Sequence, residues 1–183
     1  MDFIGYIRKD FRRRFDRPKL PKEKLDFLQS LIPFGLVVQE QTTLKAEAEG
    51  ILSPFGIYAS VALADMIVRS NWGTVPAAVE ASNLFSFKND SLPEIRTKTK
   101  KLGEDKVKYR NFDTWYEFVN YLTNHYVYSG LYESLLKERS PDRQADLLAE
   151  FYSLQNIDTY GNILEEIIVD FGLVEFDNIY NLI

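Results

Sequence analysis

The sequence contains no cysteine and a single histidine, His125, among its 183 residues. Disulfides, thiolate metal sites and cysteine nucleophiles are therefore excluded, and one imidazole cannot form a histidine cluster for zinc. We expect no metal ion and no other cofactor, and both metal-dependent and triad-type hydrolysis are disfavoured. The absence of cysteine fits the cytoplasm and a wall-facing location equally, so it does not fix a compartment.

Long apolar runs are also absent, so the sequence predicts no transmembrane segment. Charge interrupts residues 1–19 every few positions, which argues against a secretory signal peptide. We expect a soluble product of the cytoplasm. It would reach a cell wall only after lysis, through a dedicated export apparatus, or as part of a virion or other large particle.

The N-terminal segment predicts a basic amphipathic helix. Apolar residues recur every four positions from Phe3 to Phe15, basic residues lie between them, and two prolines then end the pattern. We therefore divide the chain into an arm, residues 1–20, and one domain, residues 21–183. The arm either packs on its own domain or a neighbouring subunit, or it binds an acidic partner or an anionic membrane surface.

The domain is predicted to be mainly helical with one β-hairpin. Residues 95–101 and 106–110 alternate in polarity around a glycine-containing connection, which predicts the hairpin. Helices are predicted at Leu25–Ala48, Tyr58–Val68, Thr114–Tyr128, Arg143–Tyr152 and Tyr160–Phe171. We expect a kink or break near Pro33 in the first helix. Ser53 and Pro54 signal the start of the second, and Asp113 is expected to cap the third. The second of these helices is almost wholly apolar, so we expect it to be buried on most sides. Asp65 and Arg69 are spaced i, i+4 there, which favours a local salt bridge over a catalytic arrangement.

Three stretches carry a family resemblance. Residues 69–73 read RSNWG and are followed by SNLFSFK at residues 82–88; residues 109–121 read YRNFDTWYEFVNY; a weaker match covers residues 156–168. In this order they resemble the bacterial glucosaminidase-type peptidoglycan hydrolases, which include many autolysins and the flagellar muramidase. The resemblance implies an α+β, mainly α, lysozyme-like fold, in which a helical lobe faces a small β-hairpin lobe across a glycan cleft.

The resemblance also identifies what is missing. In the family a helix ends in Glu-Ser-Gly-Trp-Gly, and its Glu is the general acid; here that position is Arg69, which holds its proton at any accessible pH. The family's second acidic residue falls in Thr97–Lys100, which contains no carboxylate. Leu154 stands where the family has a tyrosine, with Tyr152 nearby as a possible substitute. We predict that no residue is catalytic and that Arg69 marks a vestigial acid position.

The family's cleft corresponds to a set of seven residues: Asn71, Trp72, Asn83, Phe85, Lys98, Tyr109 and Phe112. Trp72 is either a core residue or a sugar-stacking one, and the amide of Asn83 is expected to satisfy buried backbone groups. The lysines around the hairpin either protect a solvated edge or meet an acidic partner. No nucleic-acid-binding motif is present, so nucleic acid is not expected as a partner.

Three functions follow from this pattern. The first is a catalytically inactive structural or binding component, of a bacteriophage virion or tail or of a cell-wall-associated assembly, contacting a protein partner through its arm. The second is an active endo-β-N-acetylglucosaminidase with a displaced acid, Glu80 or Glu94 foremost; the surrounding basic residues would lower the pKa of such an acid, which argues against it. The third is a non-catalytic module that binds peptidoglycan strands.

Overall fold

The computed structural model describes residues 20–51, 56–88, 98–102, 107–152 and 157–178. The elements in these segments are α1 (Lys22–Ala48), α2 (Ala59–Ser70), α3 (Pro76–Ala81), β1 (Lys98–Leu102), β2 (Val107–Asn111), α4 (Trp115–Tyr128), α5 (Tyr132–Lys137), α6 (Pro141–Phe151), α7 (Ile157–Asp170) and α8 (Val174–Asp177). The predicted architecture, a mainly helical α+β fold with a small hairpin, is confirmed. The predicted arm lies outside the described residues except for Leu20.

Helix α2 is the centre of the core, as its apolar sequence predicts. Ten of its twelve residues are buried, and it packs against α1, α6, α7 and α8. Gly35 permits the approach of α1, because a Cβ atom at that position would lie 2.5 Å from Cγ of Leu63. The buried polar side chains on α2, namely Ser60, Asp65 and Ser70, must therefore find their partners inside the protein.

Side chains from distant elements cap the start of α2. Asp177 accepts hydrogen bonds from the amide and the hydroxyl of Ser60, both at 2.7 Å. Gln39 accepts from the amide of Ala59 at 3.1 Å, and Gln144 accepts from the amide of Tyr58 at 2.9 Å. Burial raises the pKa of Asp177 to about 6, although the two hydrogen bonds from Ser60 oppose that shift. The predicted start signal, Ser53 and Pro54, lies outside the described residues.

The end of α2 is a turn of three consecutive left-handed residues. The φ angles are 45° at Asn71, 58° at Trp72 and 74° at Gly73. Only the last position is a glycine, and a Cβ there would lie 2.3 Å from the ring of Phe27. Ser70 supports the turn by accepting a hydrogen bond from the amide of Gly73 at 2.9 Å. Left-handed backbone at two non-glycine residues is unfavourable on its own, so the surrounding packing must hold it.

The two strands form an antiparallel pair in which Lys98 lies opposite Asn111 and Leu102 opposite Val107. Leu102 and Tyr109 pack against α3. This contact joins the hairpin to the segment that follows α2.

Two local predictions need correction. Helix α1 continues through Pro33, so a break there is wrong, while the alternative of a kink stays a prediction; burial of its face against α2 compensates for the loss of one backbone hydrogen bond. The cap of α4 is Thr114 rather than Asp113: Thr114 accepts from the amide of Glu117 at 3.2 Å, and Glu117 accepts from the amide of Asp113 at 2.8 Å. Glu117 thus accepts from the residue before the cap, one position earlier than in a standard capping box, and the carboxylate of Asp113 pairs with Lys98.

Three short helices were not predicted, since α3, α5 and α8 each have six residues or fewer. So short a segment spans less than two turns, too little for a helical period to show. Among the described helices, none is long and apolar enough to cross a membrane.

Candidate functional site

Arg69 lies in the last turn of α2, where a buried carboxylate holds it. Its Nε donates to Oδ1 of Asp65 at 2.9 Å, one helical turn earlier. The Asp65 side chain has no exposed surface, whereas 22% of the Arg69 side chain is exposed. The salt bridge that the i, i+4 spacing favours is therefore present, and it leads from the core towards the surface.

Two tyrosines complete the environment of Asp65. The hydroxyl of Tyr126, on α4, donates to Oδ2 at 3.0 Å, and the hydroxyl of Tyr160, on α7, donates to Oδ1. With Arg69 the carboxylate accepts three hydrogen bonds, which is the kind of compensation that a buried charge requires. Asp65 thus serves as a structural acceptor that joins α2, α4 and α7.

Aromatic rings surround the guanidinium of Arg69. Its central carbon lies 3.7 Å from the ring centroid of Tyr152 and 4.9 Å from that of Phe85. Burial alone would lower the pKa of Arg69, but Asp65 and the neighbouring tyrosines together raise it above its ordinary value. The guanidinium is therefore a fixed positive charge, stabilised by its ion pair and by cation–π contacts.

The tyrosine hydroxyls around this ion pair keep their protons. Burial raises the pKa of Tyr126, Tyr152 and Tyr160, and the negative charge of Asp65 raises each of them further. A phenol with a raised pKa is a weaker acid, so these side chains act as hydrogen-bond donors and do not supply a proton at neutral pH.

His125 lies beside the same cluster and is uncharged at neutral pH. Its ring centroid is 4.8 Å from that of Phe87. Burial lowers the pKa of His125 to about 4, and the positive charge of Arg69 contributes to this shift. Its Nδ1, together with Nη2 of Arg69 and the hydroxyl of Tyr152, is buried without a hydrogen-bond partner among the described residues.

Asn83 and Phe85 lie in the segment that follows α3, and Phe85 lies next to Arg69. The fully buried amide of Asn83 donates to the carbonyls of Phe87 and Arg110, both at 3.0 Å, and accepts from the amide of Phe87 at 2.9 Å. These bonds satisfy buried backbone groups, which is the structural role that the sequence predicts for this amide. Phe85 is buried and carries the ring that contacts Arg69.

Trp72 belongs to a different aromatic group. Its ring centroid lies 5.2 Å from that of Phe171 and 6.5 Å from that of Phe27, and Lys24 lies 4.8 Å above it. Asn71 is exposed and donates to the hydroxyl of Thr74 at 3.0 Å. Within the described part of the chain, no hydrogen bond, ion pair or ring contact joins these two positions to Arg69.

The remaining predicted cleft residues lie at the hairpin and its junction with α4. Lys98 pairs with Asp113, and Tyr109 packs on α3. Phe112 is buried, with its ring 5.6 Å from that of Phe118. These side chains stabilise the hairpin lobe, and a role for them in glycan binding stays a prediction.

The two alternative acids are not brought to Arg69. Glu80, on α3, is half exposed and pairs with the ammonium of Lys100 at 3.3 Å. Glu94 lies outside the described residues. The carboxylate that contacts Arg69 in the described structure is therefore Asp65, and it is fully buried.

Sequence reasoning missed three members of this cluster, namely His125, Tyr126 and Tyr160. Tyr126 and Tyr160 are 61 and 95 positions away from Asp65 in the chain. The only sequence signal for them is the aromatic content of two predicted helices, which does not distinguish core residues from site residues.

The chain belongs to the glucosaminidase family. The family model described as mannosyl-glycoprotein endo-beta-N-acetylglucosaminidase matches residues 45–173. This confirms the family resemblance noted in the sequence. No curated protein matches the chain.

Solved structures share the fold at low sequence identity. The catalytic domain of the autolysin Auto from Listeria monocytogenes is 17% identical with a TM-score of 0.59, over 94% of this chain and 97% of that one. A type VI secretion system effector–immunity complex from Pseudomonas protegens contains a chain that is 15% identical with a TM-score of 0.58, over 84% and 95%. An N-acetylmuramoyl-L-alanine amidase from Staphylococcus aureus is 19% identical with a TM-score of 0.60, over 86% of this chain and 44% of that one. These likenesses establish a lysozyme-like fold.

His125 predicts a measurable dependence of stability on pH. Its folded pKa of about 4 is below the ordinary value of 6.5, so between these values the unfolded chain binds more protons than the folded one. The free energy of unfolding should therefore fall as the pH is lowered from 6.5 towards 4, by on the order of 2 kcal/mol from this group. Urea unfolding of the native protein and of His125→Gln at pH 7 and pH 4.5 measures this contribution as a difference: on acidification the native protein should lose more stability, or gain less, than the variant.

The comparison of the two proteins isolates His125. Asp177 has the opposite effect on the free energy of unfolding. Its pKa is raised from 3.8 to about 6, so between these pH values the folded protein binds the extra proton and gains stability as the pH falls. That contribution is present in both proteins and cancels in their difference. Equal pH dependence in the native protein and in His125→Gln would show that His125 is not buried in its neutral form.

Proposed function

We propose that this chain is a non-hydrolytic glucosaminidase-fold domain that works as a binding or structural component. The observation that carries the proposal is Arg69, a fixed positive charge at the position where the resembled family has its general acid. Its ion pair with Asp65 and its contact with Tyr152 hold it there.

Among the residues that the structure describes, the groups around Arg69 offer no replacement acid. Glycoside cleavage needs a carboxylic acid that protonates the leaving oxygen and a second group that activates water or stabilises the cationic sugar. Asp65 is occupied by three hydrogen-bond donors and has no exposed surface. His125 is unprotonated at neutral pH, since its pKa is lowered to about 4. The neighbouring tyrosines have raised pKa values and hold their protons.

The charge of Arg69 also opposes the transition state. A glycosidase stabilises a sugar ring that develops positive charge as the glycosidic bond breaks. A guanidinium beside that ring would repel the developing charge. At short range in a partly buried site, the repulsion energy is larger than it would be in water. Replacing the acid by Arg69 therefore removes a proton donor and adds an unfavourable interaction.

A non-hydrolytic domain with this fold is suited to a structural role in a larger assembly. A bacteriophage virion or tail, or another assembly at the cell wall, can retain a wall-degrading fold for its shape after the acid has been lost. In this proposal the basic arm, residues 1–20, forms the contact with a protein partner.

We expect the native chain to release no reducing ends and no muropeptides from purified peptidoglycan above a buffer blank. The assay measures turbidity and soluble muropeptides, with an active muramidase as positive control. Arg69→Glu tests whether a carboxylate at this position restores cleavage, because a like charge and burial beside Asp65 would raise the pKa of the new acid. Release by the native chain itself would contradict the proposal.

A matched control separates charge from chemistry in this assay. Arg143→Glu makes the same change of charge at an exposed position on α6, where Arg143 has a surface pair with Asp146. It should be as inactive as the native chain. Circular dichroism of both variants establishes that any difference arises from folded protein.

We expect deletion of residues 1–20 to abolish capture of the partner while leaving the domain folded. The measurement compares full-length and truncated chains as baits in pulldowns from the host lysate, with circular dichroism as the control for folding. If both chains capture the same proteins equally well, the arm is not the assembly contact.

A further inference from the structure

The outward face of α7 carries exposed apolar side chains. An α-helix turns through about 100° per residue, so its exposed residues lie on one arc centred on Glu166; they are Thr159, Asn162, Ile163, Glu166, Val169 and Asp170. Ile163 is 37% exposed and Val169 is 60% exposed, and Val174 on α8 is 41% exposed. Apolar side chains set among polar ones on an outward face suit contact with another amphipathic segment.

The same part of the chain is strongly acidic. Residues 144–183 contain eight acidic residues and no basic residue. Burial raises the pKa of Glu165 on α7, and the carboxylates of Asp146 and Asp142 on α6 raise it further, against the opposing effect of Arg143. The acids of the two helices therefore lie close enough to repel one another. A basic segment on this face would relieve the repulsion.

The arm, residues 1–20, has the complementary composition. It contains seven basic and three acidic residues, and its apolar residues recur every four positions from Phe3 to Phe15. The helix that this pattern predicts would present apolar and basic side chains together. Both kinds of side chain have counterparts on the outward face of α7.

The arm also joins the domain beside this face. It precedes α1, where the ammonium of Lys24 lies 4.8 Å from the ring centroid of Trp72. Phe171, the residue directly after α7, has its ring centroid 5.2 Å from that of Trp72. The start of α1 and the end of α7 are therefore neighbours. A helix of 20 residues would be about 30 Å long and the 14 residues of α7 span about 21 Å, so the arm is long enough to run along α7.

We propose that the arm binds the α6–α7 face of its own domain, a surface formed by Asp146, Ile163, Glu165, Glu166 and Val169. The tether selects this occupant over a free basic partner, because a segment attached beside its binding surface has an effective concentration of roughly millimolar order. The contact goes beyond the proposed function and does not involve the ion pair at the end of α2. A protein partner that binds the arm must displace it from this face.

Paramagnetic broadening of amide signals tests the contact in the full chain. The sequence has no cysteine, so Asp10→Cys places one spin label on the arm without removing a basic residue. The labelled, ¹⁵N-enriched protein is diluted with an excess of unlabelled native chain, which leaves only broadening within one molecule. The amides of α7 should broaden far more than those of β1 and β2, and the difference should shrink as salt is raised.

Two double variants separate the face from overall charge. Glu165→Gln combined with Glu166→Gln should lower the equilibrium constant for docking about fivefold, the effect expected for two exposed charge contacts. Glu47→Gln combined with Glu133→Gln makes the same change of charge at exposed positions on α1 and α5, and should change docking less than twofold. Circular dichroism establishes that each variant is folded.

Each alternative has its own result. No selective broadening of α7, or equal loss of docking in the two double variants, would overturn the proposal. A second sample mixes spin-labelled protein without ¹⁵N with ¹⁵N-enriched native chain. Broadening of α7 in this mixture, together with its loss from the diluted sample, would assign the arm to a neighbouring copy and overturn the contact within one chain.

Discussion

The ion pair between Asp65 and Arg69 is the interaction on which the site depends. Asp65 is fully buried on the central helix, and helices α4 and α7 each contribute a tyrosine hydroxyl to it. Removing one partner of a buried pair typically costs about 3–5 kcal/mol, because the other charge is left without compensation. The carboxylate therefore links three helices, and Arg69 supplies the positive charge that this arrangement requires.

The same geometry accounts for the relation between fold and function. The chain belongs to the glucosaminidase family and shares its fold with an autolysin catalytic domain. In our proposal the end of α2, where the acid would act, has become part of the protein's internal packing, with the guanidinium against Tyr152 and Phe85. A fold can persist after its site has changed, because the fold requires the buried apolar face of α2, whereas catalysis requires a particular side chain at one position.

Local patterns in the sequence predicted much of this structure. The apolar run of α2, the alternation of the hairpin and the i, i+4 spacing of Asp65 and Arg69 are all short-range signals. The partners Tyr126 and Tyr160 depend on how distant helices pack, which the local pattern does not contain. The cap of α4 shows the same limit on a small scale, since Asp113 and Thr114 are both good capping residues and only the geometry selects Thr114.

A double-mutant cycle on the ion pair tests the account at its centre. Asp65→Asn, Arg69→Met and the combined variant would be compared with the native protein by urea unfolding at pH 7. The account predicts a coupling energy of about 2–3 kcal/mol, with the combined variant far more stable than the sum of the single losses implies. A coupling energy near zero would mean that Arg69 does not depend on Asp65, and that the core does not fix the charge of Arg69.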